Sequence, residues 1–158
     1  MQHVDIYTDG AARGNPEGPG GYGTILHYTD SKGRLFEREF SCGYVKTTNN
    51  RMELRAVIAG LLALKHPCNV TVYSDSQYVV KAFTEGWLEN WKKKGWKRQG
   101  GELLNVDLWK KLDKLASGHE LSFEWVKGHA GHPLNERCDK LATTAADGED
   151  LKEDEPEE

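Results

Sequence analysis

Residues 70–76 read VTVYSDS, and residues 4–10 read VDIYTDG. Each is a short run of β-formers that ends on an aspartate followed by a small residue, Ser76 or Gly10. The first of these runs has little polarity beyond Thr71, which suits a buried parallel strand. Ser76 is placed to cap a helix running through Phe83. If the two strands pair in parallel, Asp9 and Asp75 emerge together at one edge of a sheet, and in such sheets ligands gather beyond the carboxyl ends of the parallel strands. An aspartate at a strand end is also an ordinary turn former or helix cap, so each residue taken singly decides nothing.

Outward from this pair, a Gly/Pro-rich loop (AARGNPEGPGG, residues 11–21) leads to two antiparallel strands, 22–28 and 35–43, around a turn at 30–33. Residues 49–65 form the first strong helix, stopped by His66-Pro67. Helices follow at 87–94 and at 105–116, where apolar residues recur at 108, 109, 112, 115 and 116 with three lysines outside. The last strand is 121–126. A closing helix spans 133–146, with Pro133 suited to its first turn. Strands first, then alternating helix and strand, give an α/β fold: a mixed sheet with helices on both faces. A chain of 158 residues suits one core.

Two more carboxylates converge on the same end. On a helix at about 100° per residue, Arg51, Arg55 and Lys65 fall on one side, and Glu53 lies nearly opposite, beside Val57, Gly60 and Leu64. A carboxylate on a buried side is costly unless it is paired or bound to a metal. Asp139 sits beside the apolar stripe of the closing helix. Ahead of that helix, the glycine-flanked loop KGHAGH (127–132) carries His129, a reasonable proton carrier and equally an ordinary surface histidine. Convergent carboxylates without thiolates favour hard cations, Mg²⁺ or Mn²⁺. Zinc through His129, His132 and Cys138 matches no common spacing and lacks a ligand. GPGGYG (18–23) fits a dinucleotide-binding pattern, but it precedes a strand instead of opening a helix.

Composition narrows the classes further. With 37% hydrophobic and 29% charged residues, the chain is too apolar for full disorder. The longest apolar run, near 56–64, is less than half a membrane span, and the N-terminus lacks the features of a signal peptide. Cys42, Cys68 and Cys138 form no C-x-x-C pair, which fits a reducing compartment, the cytoplasm. Residues 147–158 carry eight acids and one lysine and are expected to be solvated and disordered. The segment 87–98, WLENWKKKGWKR, interleaves Trp87, Trp91 and Trp96 with Lys92, Lys93, Lys94, Lys97 and Arg98. Nucleic acid offers both phosphates and π-faces to such a segment, although core tryptophans on a solvated basic helix would read the same way.

The strings IYTDGAARGNP, TTNNRMEL, YSDSQYV, GWLENWKKKGWK, NVDLWKKLD and WVKGHAGHPLNERCDKLA occur in this order over about residues 2–146, and together they resemble bacterial type 1 ribonuclease H. The resemblance implies a ribonuclease H-like fold with a five-stranded mixed sheet, and a catalytic domain at 1–146. It implies an endonuclease that hydrolyses the RNA strand of an RNA–DNA hybrid, leaving 5′-phosphate and 3′-hydroxyl ends, and acting as a monomer. It further implies a two-ion Mg²⁺ centre on Asp9, Glu53, Asp75 and Asp139, with His129 assisting. Asn15, Asn49, Asn50 and Gln77 match residues that line the hybrid's minor groove. Lys46, Thr48 and Asn105 match a pocket for a DNA phosphate, and the 87–98 segment matches a basic protrusion that grips the DNA strand. An extra residue near Glu17 and the acidic tail depart from the family pattern. A non-catalytic hybrid-binding module and a DNA-cleaving relative such as a resolvase are the rival readings; the four intact carboxylates oppose the first, and the TTNN segment with the protrusion opposes the second.

Overall fold

Strand β1 (Gln2–Ala12) alternates buried Val4, Ile6 and Thr8 with half-buried Asp5 and Tyr7, so one face of it enters a core. It pairs antiparallel with β2 (Gly18–Thr29), which pairs antiparallel with β3 (Leu35–Thr47). On its other side β1 pairs in parallel with β4 (Cys68–Ser74), and β4 pairs in parallel with β7 (Glu120–Trp125). The order β3-β2-β1-β4-β7 is the mixed five-stranded sheet expected from the sequence. The structure, a computed structural model, describes residues 1–14, 17–98, 100–127 and 132–157.

Helix α1 (Asn49–Leu62) covers one face, its Leu54, Val57, Ile58 and Leu61 joining Val4, Ile6, Val70 and Val72 in the core. Gly60 lets it approach closely: a Cβ there would sit 2.7 Å from the Ile6 side chain. Helices α2 (Gln77–Thr84), α3 (Trp87–Lys93) and α4 (Val106–Ala116) extend this layer, with α4 packed on α1. Trp109, fully buried on α4, collects the rings of Tyr78, Phe83 and Trp91. Helix α5 (Pro133–Ala146) covers β1, β2 and β3 on the opposite face.

Four expectations are revised. The first strand does not stop at Thr8; β1 runs on to Ala12 because β2 continues to pair with it after β4 has turned away. The glycine-rich stretch 18–21 belongs to β2 rather than to a loop. β4 is not buried on both faces, since Thr71 and Tyr73 are only half-buried. A two-stranded ribbon of β5 (Lys97–Arg98) and β6 (Gly101–Glu102), unforeseen from sequence, follows α3.

The fourth concerns the acidic tail. Instead of lying free in solvent, Lys152 exchanges backbone hydrogen bonds with the edge strand β3, accepting from Val45 N–H at 2.8 Å and donating to Gly43 at 2.9 Å. Asp154, its side chain 3% exposed, then accepts from Thr47, Arg51 and Arg55. Glu157 pairs with Arg55 and Lys111. The side of α1 that carries Arg51 and Arg55, opposite Glu53, is therefore covered by the tail. The electrostatics are cooperative: Arg51 also binds Asp107 through two N–H···O bonds of 2.9 and 3.0 Å. Burial pushes the Asp107 carboxyl up, but the Arg51 guanidinium and the Glu157 N–H outweigh it and hold the group at about 2.

A carboxylate with a depressed native pKa contributes stability above its unfolded pKa, about 4, and loses that contribution as the pH falls through the native value. Asp107→Asn is expected to cost about 2 kcal/mol at pH 7, because it leaves Arg51 short of an acceptor in a partly shielded site. Urea unfolding checks this: the gap between variant and parent should narrow below pH 4 and close near pH 2.

Candidate active site

The parallel register of β1 and β4 ends at Tyr7 opposite Tyr73. Two residues further along each strand stand Asp9 and Asp75, so the shared register delivers both carboxylates to the same end of the sheet. Glu53 joins them from the first turns of α1. Gly10 makes that approach possible, since a Cβ on it would lie 2.5 Å from the Glu53 backbone nitrogen and 2.6 Å from the Met52 carbonyl carbon. Carboxylate oxygens of Asp9, Glu53 and Asp75 all fall within 4.8 Å of one another. Asp139, from α5, lines the same cleft of about 530 Å³, together with Asn49, Asn50, Gln77 and Arg13.

Asp9 and Glu53 are 5% and 4% exposed. Burial, then the negative charge of Asp75, raises the Asp9 pKa to about 8, against a partial offset from the Gly10 N–H that donates to its Oδ1 at 2.9 Å. Asp139 adds to the same upward push. Glu53 is raised well above the ordinary carboxylate range by burial and by Asp9 and Asp75. Among the described residues its Oε1 has no hydrogen-bond partner, although it is buried. A buried, unpaired carboxylate oxygen within reach of two others is the arrangement a cation would complete, and an all-oxygen donor set suits a hard divalent ion.

The remaining sequence-nominated residues separate into groups. Asn49, Asn50 and Gln77 share the cleft with the carboxylates. Thr48 caps α1, its hydroxyl accepting from Arg51 N–H at 3.2 Å. Lys46 is exposed and 3.4 Å from Glu17. Asn105 precedes α4 in the left-handed region, φ 59°. Along the protrusion, Trp87 is substantially exposed, whereas Trp91 packs on Trp109 and Trp96 lies under Lys110. Lys92 is engaged by Asp113 and Glu89, which leaves Lys93 and Lys94 facing solvent. Asn15 and His129 lie outside the described residues.

Sequence reasoning passed over Tyr78, whose hydroxyl accepts from both Asn105 and Trp109, and over Arg51, Asp107 and Asp154. The one signal available was an Arg pair at i and i+4 in a chain with a strongly acidic end.

A profile of the RNase H family matches residues 1–147. The chain is 68% identical over 152 residues to Ribonuclease H of Lachnoclostridium phytofermentans, covering 96% of each. It is 55% identical over 147 residues to Ribonuclease H of Escherichia coli, covering 92% of this chain and 90% of that one. Among solved structures, it resembles LC9-RNase H1, described as a type 1 RNase H with the type 2 active-site motif, with a TM-score of 0.84 and 36% identity, covering 92% of this chain and 72% of that one. It also resembles LC11-RNase H1 in complex with an RNA/DNA hybrid, with a TM-score of 0.60 and 27% identity, covering 91% of this chain and 96% of that one.

The raised Asp9 pKa has a thermodynamic consequence in metal-free protein. Between the unfolded value, about 4, and the native value near 8, the folded state binds more protons, so its stability falls as pH rises through that window. Asp9→Asn removes this penalty without changing size. In EDTA the variant is expected to melt above the parent at pH 8, by about 2–4 °C for each kcal/mol relieved, with the difference vanishing near pH 4. Added Mg²⁺ should shrink the gap at pH 8, because the ion binds the parent more tightly. A variant that melts below the parent throughout would assign Asp9 a structural role.

Proposed function

The chain belongs to the RNase H family as a bacterial type 1 member, and on that premise we propose that Asp9, Glu53, Asp75 and Asp139 form its hydrolytic centre, cleaving the RNA strand of RNA–DNA hybrids. The observation that carries the reading is the Asp9–Glu53–Asp75 cluster, with Asp9 and Glu53 buried, Asp75 half-buried, and the three carboxylates mutually repelling. LC11-RNase H1, with the same fold, is in complex with an RNA/DNA hybrid.

Mg²⁺ is the proposed cation, with Mn²⁺ as a substitute; two ions bound there would activate water and stabilise the leaving 3′-oxygen, giving 5′-phosphate and 3′-hydroxyl products. Asp9 takes the central position because Asp75 and Asp139 both act on it. Glu53 and Asp75 hold one side of the centre each, and Asp139 completes the second site. The carboxylates also offset the cations' charge, and the near-neutral pKa of Asp9 means that loading releases protons. His129 is assigned to proton movement or product departure on the strength of its loop's resemblance alone. Its removal should slow turnover, since water can partly replace a proton carrier.

Selectivity for a hybrid needs 2′-hydroxyl contacts on one strand and a deoxyribose fit on the other. Asn49, Asn50 and Gln77, with amides in the cleft beside the carboxylates, suit the first task. Lys46, Thr48 and Asn105 are assigned to a DNA phosphate. Exposed Lys93, Lys94 and Trp87 offer the protrusion's grip on the same strand. The proposed setting is the cytoplasm, where the free thiols of Cys42, Cys68 and Cys138 would stay reduced, and the proposed acting form is a monomer.

A single panel tests the proposal: labelled hybrid, duplex RNA, duplex DNA and single strands, each with Mg²⁺ or EDTA. Only the RNA of the hybrid should be cut, and only with metal. Asp9→Asn should lower kcat at least about a thousandfold while hybrid binding persists. Comparable cleavage of duplex DNA would overturn the reading. Replacing Lys93 and Lys94 together by Ala should raise KM more than it lowers kcat, and should flatten the slope of log affinity against log salt by up to about two units.

A further inference from the structure

The acidic tail is clamped onto Arg51, and the consequence reaches Asn105. All five N–H groups of the Arg51 guanidinium are committed. Two go to Asp107, at 2.9 and 3.0 Å, and two to Asp154, at 2.7 and 3.3 Å. The fifth donates to Asn105 Oδ1 at 3.3 Å. With its oxygen taken, Asn105 turns its amide nitrogen toward the Tyr78 hydroxyl, to which it donates at 3.1 Å. Tyr78 also accepts from Trp109 Nε1 at 2.9 Å, so this hydroxyl is anchored to the core. One amide N–H of Asn105 then remains for a ligand.

The arrangement departs from what asparagine does at this place. A residue preceding a helix normally folds its side chain back onto the first turn. Asn105 makes no such cap and stands in the left-handed region. Its side chain is held away from the helix by Arg51 and Tyr78. The orientation matters chemically, because an amide with its oxygen outward repels an anion while its N–H attracts one. Arg51 sets that orientation, and Arg51 in turn is set by the two carboxylates that consume its other donors.

We infer that Asp154 is a positioning residue for substrate: through Arg51 it holds the Asn105 amide with its N–H presented to a phosphate of the DNA strand. This rests on the reading above that Asn105 faces such a phosphate. Asp154 belongs neither to the carboxylate cluster nor to the lining of its cleft, so its effect belongs in KM. Asp154 and Glu157 are consumed by Arg51, Arg55 and Lys111 rather than by Lys93 or Lys94.

A double-mutant cycle on hybrid cleavage, in Mg²⁺ and at a temperature where thermal melts show every variant folded, tests the inference. Asp154→Asn should raise KM about fivefold, in the range of coupling between members of one hydrogen-bond network, with kcat within about twofold of the parent's value. In the Asn105→Ala background the same substitution should add nothing. Arg51→Lys serves as a second variant if Asp154→Asn does not fold. It keeps a cation between the two carboxylates but cannot supply the planar set of donors, and it should show the same KM effect and the same non-additivity. Equal effects in the two backgrounds, or a loss confined to kcat, would overturn the positioning role. If Asn105→Ala alone leaves KM unchanged, the phosphate pocket itself is wrong and the inference falls with it, an outcome separable from the first.

Discussion

Like charges brought together out of water repel strongly, and the fold is organised around tolerating that repulsion at one point. Asp9, Glu53 and Asp75 reach one another only because two different elements are pressed onto β1. The parallel ladder with β4 brings Asp75, and the side-chain-free surface of Gly10 admits the first turns of α1 with Glu53. Each approach is backed by apolar packing, since Val4, Ile6, Val57, Leu61, Val70 and Val72 are buried together in the core. Burial first, and then the charge of Asp75, raises the Asp9 pKa, so protons relieve the strain when no cation is present. A centre strained in this way is prepared to exchange protons for metal.

The opposite logic governs the flank of α1. There the charges alternate in sign, with Arg51, Arg55 and Lys111 facing Asp107, Asp154 and Glu157. The tail supplies two of the three acids and also pairs with the exposed edge of β3, an edge that would otherwise present unsatisfied backbone groups. Removing the tail would leave two guanidinium groups on α1 with a single nearby carboxylate. The flank and the carboxylate cluster thus share one helix: Glu53 points inward from it while Arg51 and Arg55 are clamped on its outer side.

The protrusion shows how one composition serves two ends. Trp91 and Trp96 fasten it to α4, through Trp109 and Lys110, and Lys92 reinforces the attachment through Asp113. Trp87, Lys93, Lys94, Lys97 and Arg98 are left outward, while Lys92 is spent on the attachment. A basic, tryptophan-rich segment is therefore partly a strut and partly a surface, and its count of lysines overstates the charge it can offer to phosphate.

Much of this was legible in the residues alone. Period-two runs ending in aspartate located the two strands, the inward face of a helical wheel located Glu53, and Ser76 announced a cap that the structure contains. Those signals are local, since they follow from side-chain alternation and from backbone hydrogen bonding within a few residues. Tertiary structure alone decided the rest. The docking of residues 151–157 depends on contacts about a hundred residues apart in sequence, such as Arg55 to Asp154, and in sequence an acidic run looks the same whether solvated or paired. The continuation of β1 to Ala12 depends on its partner β2, not on its own propensity. The pKa of Asp9 and the orientation of Asn105 arise from burial and from neighbours on other elements. Periodicity tells which way a side chain points, but only packing determines what it meets there.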